Sequence, residues 1–196
     1  SYISFLLLLS LLVSSCFSTS GENSLDEVIA PSINVDFDVV KIENLYSMKV
    51  PNFMTVTDKL QEGASLQYDN PFKEKYVTVL HEEKDDVMAF MKDYGVYDEK
   101  KSALENYADT RLKYLKESGI TIIDQSGLTS EKINGRSAYS TNVDAKAPGM
   151  SDDTAQFFTY VEGEEHFYTI SAWTILSRKD GYVDEVTEMT RSFKEL

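Results

Sequence analysis

A single cysteine, Cys16, serves a chain of 196 residues. An internal disulfide is therefore excluded, and so is any zinc or iron–sulfur site built from several cysteines. Histidine is nearly as scarce: His81 and His166 are the only two. Their separation rules out His-x-x-x-His and related local metal-ligand spacings. The nine glycines are scattered, so no glycine-rich phosphate loop is present, and no Gly-x-Ser-x-Gly nucleophile elbow occurs. The apolar run at residues 5–13 covers nine positions, where a membrane-spanning helix needs roughly 18. Cations are outnumbered, with 19 Lys and Arg against 33 Asp and Glu, a net charge of −14. Such a surface repels nucleic-acid phosphates and anionic headgroups, so no nucleic-acid partner is expected.

What is present begins with that apolar run. Its length suits the hydrophobic region of a secretory signal. The chain starts at Ser1 with no Met, Lys or Arg ahead of the run, so a few residues are expected to precede it. Val13-Ser14-Ser15-Cys16 follows and resembles a bacterial lipobox: a branched aliphatic residue, two small residues, then cysteine. Small residues let an extended backbone enter a protease site. The resemblance implies a diacylglyceryl group on the Cys16 thiol and cleavage just before it. Two or three acyl chains anchor far better than one. The bland alternative is an ordinary signal peptide with a chance cysteine. The expected organisation is a signal peptide at 1–15, a lipidated Cys16 and tether at 16–44, and a globular domain at 45–196. No charged residue precedes Glu22, so an acidic domain would depend on the lipid alone for membrane attachment. Phe17 and Ser18 do not resemble the Asp-type retention signal of inner-membrane lipoproteins. The expected address is the outer membrane of a Gram-negative cell envelope.

The tether opens small and polar. At its end Val35, Phe37 and Val39 share one side of an extended chain, so this part is expected to pair with the domain as an edge strand. Asp36 and Asp38 would then form a solvated face rather than a calcium site, because no metal-binding loop follows.

From Leu45 the pattern predicts short extended runs at 45–51, 53–57 and 65–68, then a clear strand at 75–82. There Val77 and Val79 alternate with Tyr76, Thr78 and Leu80, which predicts burial on both faces. Val87, Phe90, Met91 and Tyr94 predict a first helix, ended by Gly95. Leu104, Tyr107, Ala108, Leu112 and Leu115 predict a second, with Ser102 and Glu105 as a capping box and Gly119 as its stop. Its opposite side, with Glu105, Asn106, Asp109, Lys113, Lys116 and Glu117, is expected in solvent. Extended runs follow at 120–124, 136–144, 156–161 and 166–175. Asn134-Gly135 is placed as the turn between the first two, and Gly163 in the turn joining the last two. The run at 166–175 is apolar on both faces and is expected to be central. Tyr182, Val186, Met189 and Phe193 predict a final helix ending near Lys194. Short connections imply an antiparallel sheet. The expected class is α+β, a three-layer helix/sheet/helix sandwich around a mostly antiparallel sheet.

Three stretches carry a family resemblance: Tyr46-Ser47-Met48-Lys49-Val50-Pro51, Ile133-Asn134-Gly135-Arg136-Ser137-Ala138, and Phe167-Tyr168-Thr169-Ile170 through to Arg191-Ser192-Phe193-Lys194. In order and spacing they resemble the PsbP-like fold, shared by an extrinsic photosystem II subunit and a Ran-binding import factor. The chain is also similar to small lipid-anchored proteins of this fold from Bacteroidetes-type bacteria. The resemblance implies a non-enzymatic binding or assembly role with partners that differ among members; with the anchor, the expected partner is another envelope protein, and no cofactor is expected. Neither the photosystem nor the Ran role carries over with the fold.

Two alternatives come from the residues themselves. His81 and His166 stand at strand ends beside acidic turns, so with Glu82 they are candidates for a divalent-metal or small-ligand site. A hydrolase with an unrecognised site is the other. Tyr76, Phe157, Phe158, Tyr160, Phe167, Tyr168 and Trp173 are read as core, with a residual aromatic patch at one sheet end as a candidate partner surface.

Overall fold

A computed structural model describes residues 35–196. The run at 5–13, the lipobox and Cys16 lie outside the described residues. The domain is α+β, with three α-helices and two sheets in which every strand pair is antiparallel.

The first paired strand, β1 (Phe37–Ile42), lies in the stretch expected as tether and pairs with β2 (Tyr46–Pro51). The paired domain thus starts before Leu45. Val40 and Ile42, with Phe37, pack on the core, whereas Val39 stands 70% exposed. Of the expected side Val35/Phe37/Val39, Phe37 thus meets the core and Val39 is corrected to solvent. A tight turn with φ of 44° at Glu43 joins β1 to β2.

After β3 (Thr55–Val56), β4 (Leu66–Asn70) and β5 (Lys75–Glu83) come α1 (Lys84–Asp93) and α2 (Ala103–Glu117). In α2 the Ser102 hydroxyl accepts the Glu105 N–H at 3.1 Å, one half of a capping box. The Glu105 carboxylate turns instead to Lys101, at 3.8 Å. Gly119 beyond the helix end has φ of 87°, a conformation that favours glycine. Asn106, expected in solvent, is buried. Its amide donates to the Asp98 and Ser102 carbonyls at 2.9 and 3.0 Å and folds the α1–α2 connection against the helix. In α1, Met91 is buried but Phe90 and Tyr94 of the expected apolar stripe are exposed.

The second half runs β6 (Thr121–Gln125), β7 (Thr129–Ile133), β8 (Arg136–Lys146), β9 (Thr154–Glu162), β10 (His166–Ile175), α3 (Val183–Ser192) and β11 (Lys194–Glu195). β7 has no apolar alternation and was not expected; only Ile133 in it is buried. Asn134-Gly135 joins β7 to β8, not the run at 120–124 to β8. With φ of 46° and 86° it is the left-handed pair of a tight hairpin.

The large sheet has the order β3-β4-β5-β10-β9-β8-β6, with β7 pairing the other half of β8; β1-β2-β11 form a small sheet. β10 is central, as its two apolar faces require. Tyr168, Ile170 and Ala172 join one apolar cluster, with β2 and the α3 stripe Val186 and Met189, flanked by Tyr182 and Phe193. Phe167, one residue out of phase, joins a second cluster with Leu104, Tyr107, Ala108 and Leu112 of α2.

Candidate functional site

Strand alternation decides the fate of the predicted metal residues. On β5 and β10 the register sets His81 opposite Tyr168 and His166 opposite Glu83. The imidazoles meet edge to face, 5.4 Å between centroids. His166 Nε2 contacts Glu83 Oε1 at 2.9 Å, and the buried Nδ1 of His81 has no hydrogen-bond partner. Glu82 lies between His81 and Glu83 in sequence and so projects from the opposite face. There it accepts the Tyr107 hydroxyl at 2.5 Å and faces Arg111 at 3.6 Å. The fold brings the two histidines together and takes Glu82 away. Among the described residues, no three His, Cys, Asp or Glu side chains converge on a metal position.

The buried tyrosines serve packing. Burial, followed by the Glu82 carboxylate, pushes the Tyr107 phenol well above its ordinary range, and its oxygen also meets Thr169 Oγ1 at 2.7 Å. Burial likewise raises Tyr46, Tyr160, Tyr168 and Tyr182. Of the strand aromatics, Phe157, Tyr160, Phe167 and Tyr168 are core. Tyr76 and Trp173 stack across β5 and β10 at 5.3 Å and remain half-buried.

The three stretches that carry the family resemblance, far apart in sequence, meet at one junction. Tyr46, Tyr168 and Phe193 pack as a ring trio, with centroids 5.0–5.5 Å apart. The Lys49 N–H donates to Ser192 Oγ at 2.8 Å, tying β2 to the end of α3. The Asn134 side-chain amide donates to the Phe193 and Arg191 carbonyls at 2.7 and 3.1 Å. One residue therefore turns the β7–β8 hairpin and satisfies carbonyls at the α3 terminus, which a helix leaves without partners. β11 then pairs with β2, Lys194 to Ser47 and Glu195 to Tyr46. This pairing ends α3 at Ser192, ahead of Lys194.

Glu195 closes the junction. Its carboxylate accepts Arg136 Nη2 at 2.7 Å, the Glu164 N–H at 2.9 Å and the Tyr168 hydroxyl at 3.3 Å. A Cβ at Gly163 would overlap the Glu195 carboxylate and the Tyr168 ring, so that turn needs glycine. Glu195 and Gly163 as partners have no local sequence signal, because 31 residues lie between them.

Two adjoining depressions, each about 370 Å³, open at this junction and share Asn134 and Lys194. Gly135, Arg136 and Glu195 line one; Val39, Lys49 and Arg191 are among the residues lining the other. The chemistry on offer is recognition by charge and shape: cations, the Glu188 and Glu195 carboxylates and the Asn134 amide around a partly apolar floor.

No protein-family model and no curated protein matches the chain. Solved structures do. Cyanobacterial PsbP (CyanoP) from Synechocystis sp. PCC 6803 superposes with a TM-score of 0.54 at 12% identity, covering 88% of this chain and 99% of its own. The fold is PsbP-like. The Saccharomyces cerevisiae Ran-binding protein Mog1p is similar at a TM-score of 0.49 and 11% identity, over 82% of this chain and 95% of its own. LpqN of Mycobacterium tuberculosis, described as involved in cell envelope biogenesis, reaches 0.47 at 10% identity, over 83% and 91%. At such identities the likeness is one of fold.

Proposed function

We propose that the chain is a non-enzymatic binding or assembly module of the cell envelope, anchored through lipid on Cys16 and working through the domain of residues 35–196. The observation that carries the binding role is the junction. Its concave surface rests on a backing of mutual bonds, with Asn134, Glu195, Tyr168 and Ser192 already engaged. A bonded scaffold holds a recognition surface in place before a partner arrives, which lowers the ordering cost of binding.

We also read the domain as layered, α1 and α2 over one face of the large sheet and α3 with the small sheet over the other. The two apolar clusters, which draw on alternate residues of β10, support that reading. The lipobox-like Val13-Ser14-Ser15-Cys16 supports the anchor, and the Phe17-Ser18 pair favours the outer membrane.

Metabolic palmitate labelling and membrane fractionation test the anchor. Label on the wild-type protein and its loss in Cys16→Ser, with release into the soluble fraction, are expected. Retained label in Cys16→Ser overturns the assignment. Cross-linking in solubilised envelopes tests the module: one defined partner is expected, and no saturable cross-link would overturn it.

A further inference from the structure

The outer face of the small sheet gathers positive charge in an acidic chain. Register decides which side chains share that face, because directly opposite residues of an antiparallel ladder point the same way. Lys41 is opposite Ser47, and Ser47 is opposite Lys194. These three residues form one row across β1, β2 and β11. Strands lie ~4.8 Å apart, so the two lysine positions are ~10 Å apart with a small hydroxyl between them. The next row on this face sets Val39 opposite Lys49. Tyr46 and Met48, out of phase with these, face the core. Arg191 from the end of α3 lines the same depression as Val39, Lys49 and Lys194.

Of the four cations, Lys49 has an acidic partner, Glu188 at 2.5 Å. Lys41, Arg191 and Lys194 are exposed, with no carboxylate within 4.0 Å among the described residues. Unpaired cations side by side repel one another. In a chain of net charge −14, this face has the opposite sign to the whole.

We propose that this face docks an acidic, extended segment of a partner protein. Its carboxylates meet Lys41, Lys194 and Arg191, and an apolar residue of the same segment covers Val39. The proposal rests on the binding-module reading and names the chemistry of the partner. Charge complementarity selects an anionic occupant. Shape selects a chain segment over a flat bilayer, because Val39, Arg191 and Lys194 line a depression beside which Lys41 stands, two residues along β1 from Val39. An extended chain returns every second side chain to the same side at ~6.8 Å, which matches that spacing.

The test uses the full chain and a synthetic peptide of Glu-Ser-Val-Ser repeats, which puts Glu and Val in turn on one side of an extended chain, followed by fluorescence anisotropy over a salt series. Saturable binding that weakens with salt is expected. Lys41→Glu with Lys194→Glu should weaken it roughly tenfold, and the milder Lys41→Gln with Lys194→Gln roughly threefold. Lys113→Glu with Lys116→Glu on α2 changes net charge equally and should leave affinity within about twofold. A peptide with Gln in place of Glu should not bind. Equal loss in the α2 control, or equal binding of the Gln peptide, overturns the proposal. So does failure of the peptide to bind while phosphatidylglycerol vesicles bind through Lys41 and Lys194, which would make this a membrane face. None of these measurements depends on Cys16 or on the cross-linking result, so a failure here is distinct from a failure of the module itself.

Discussion

Helices α1 and α3 have the same length, ten residues each, and both carry acidic residues in the first turn and a basic residue in the last. Both show apolar residues at helical spacing. Their fates differ. Around α3, Tyr182, Val186, Met189 and Phe193 are all buried, and Glu185 enters the interior beside Lys75 at 2.6 Å. That lysine also lies 4.9 Å from the Tyr182 ring centroid. On α1 only Met91 is fully buried; Phe90 and Tyr94 stack on each other at 4.4 Å in contact with solvent. Periodicity defines an apolar face, but the depth of burial depends on what the rest of the chain places against it. α3 has β2 and the hairpin turn for neighbours; α1 makes thin contact with β5 and α2.

The contrast can be broken most severely at Phe193. Truncation to Ala removes one ring of the Tyr46, Tyr168 and Phe193 trio at the junction and should cost ~4 kcal/mol in urea unfolding. A loss near that for an exposed residue would show that the junction does not govern stability. Next comes Lys75→Met, which leaves the buried Glu185 carboxylate without its partner. A loss of ~3 kcal/mol is expected, and restoring the balance with Lys75→Met plus Glu185→Leu should recover much of it. Gly163→Ala should cost ~2 kcal/mol by forcing Glu195 or Tyr168 to shift.

Alkaline pH sharpens the same contrast. Burial, then Glu185, raises the Tyr182 phenol well above 10. The folded chain therefore keeps a proton that the unfolded chain releases from pH 10 upward. Its contribution is complete below that pH and declines as pH rises through the folded value. Tyr182→Phe should flatten the alkaline fall in stability, at the cost of the hydroxyl's 3.0 Å bond to the Tyr76 carbonyl. The smallest effect belongs to α1: Tyr94→Ala should change stability by ~0.5 kcal/mol or less.

Much of this contrast was beyond the sequence pattern. The strands at 75–83 and 166–175 were legible because apolar residues on both faces leave few arrangements other than burial at a sheet centre. The α3 stripe and the Ser102 N-cap were legible for the same local reason. β7 was not, since Thr129, Ser130, Glu131 and Lys132 carry no apolar alternation and are held as a strand only by pairing with β8. β11 was not, because two residues are too few for any pattern. His81 and Glu82 looked like neighbours in one site, yet consecutive strand residues face opposite ways. Asn106 looked solvated because its helix face is otherwise charged; its burial follows from where the 94–102 connection runs.

By itself the sequence determined the elements whose signal is local: alternation in central strands, helical stripes, the Asn134-Gly135 turn, the scarcity of cysteine and histidine, and a net charge of −14. These depend on side-chain chemistry within a few residues. The tertiary structure decided what meets what. It set Asn134 against the end of α3, Glu195 against Gly163, and Lys41 in line with Lys194. Such contacts depend on register and on chain reversal across as many as 153 residues, the span from Lys41 to Lys194. No local pattern carries that information, because the free energy that selects a register is summed over whole strands and the cores they enclose.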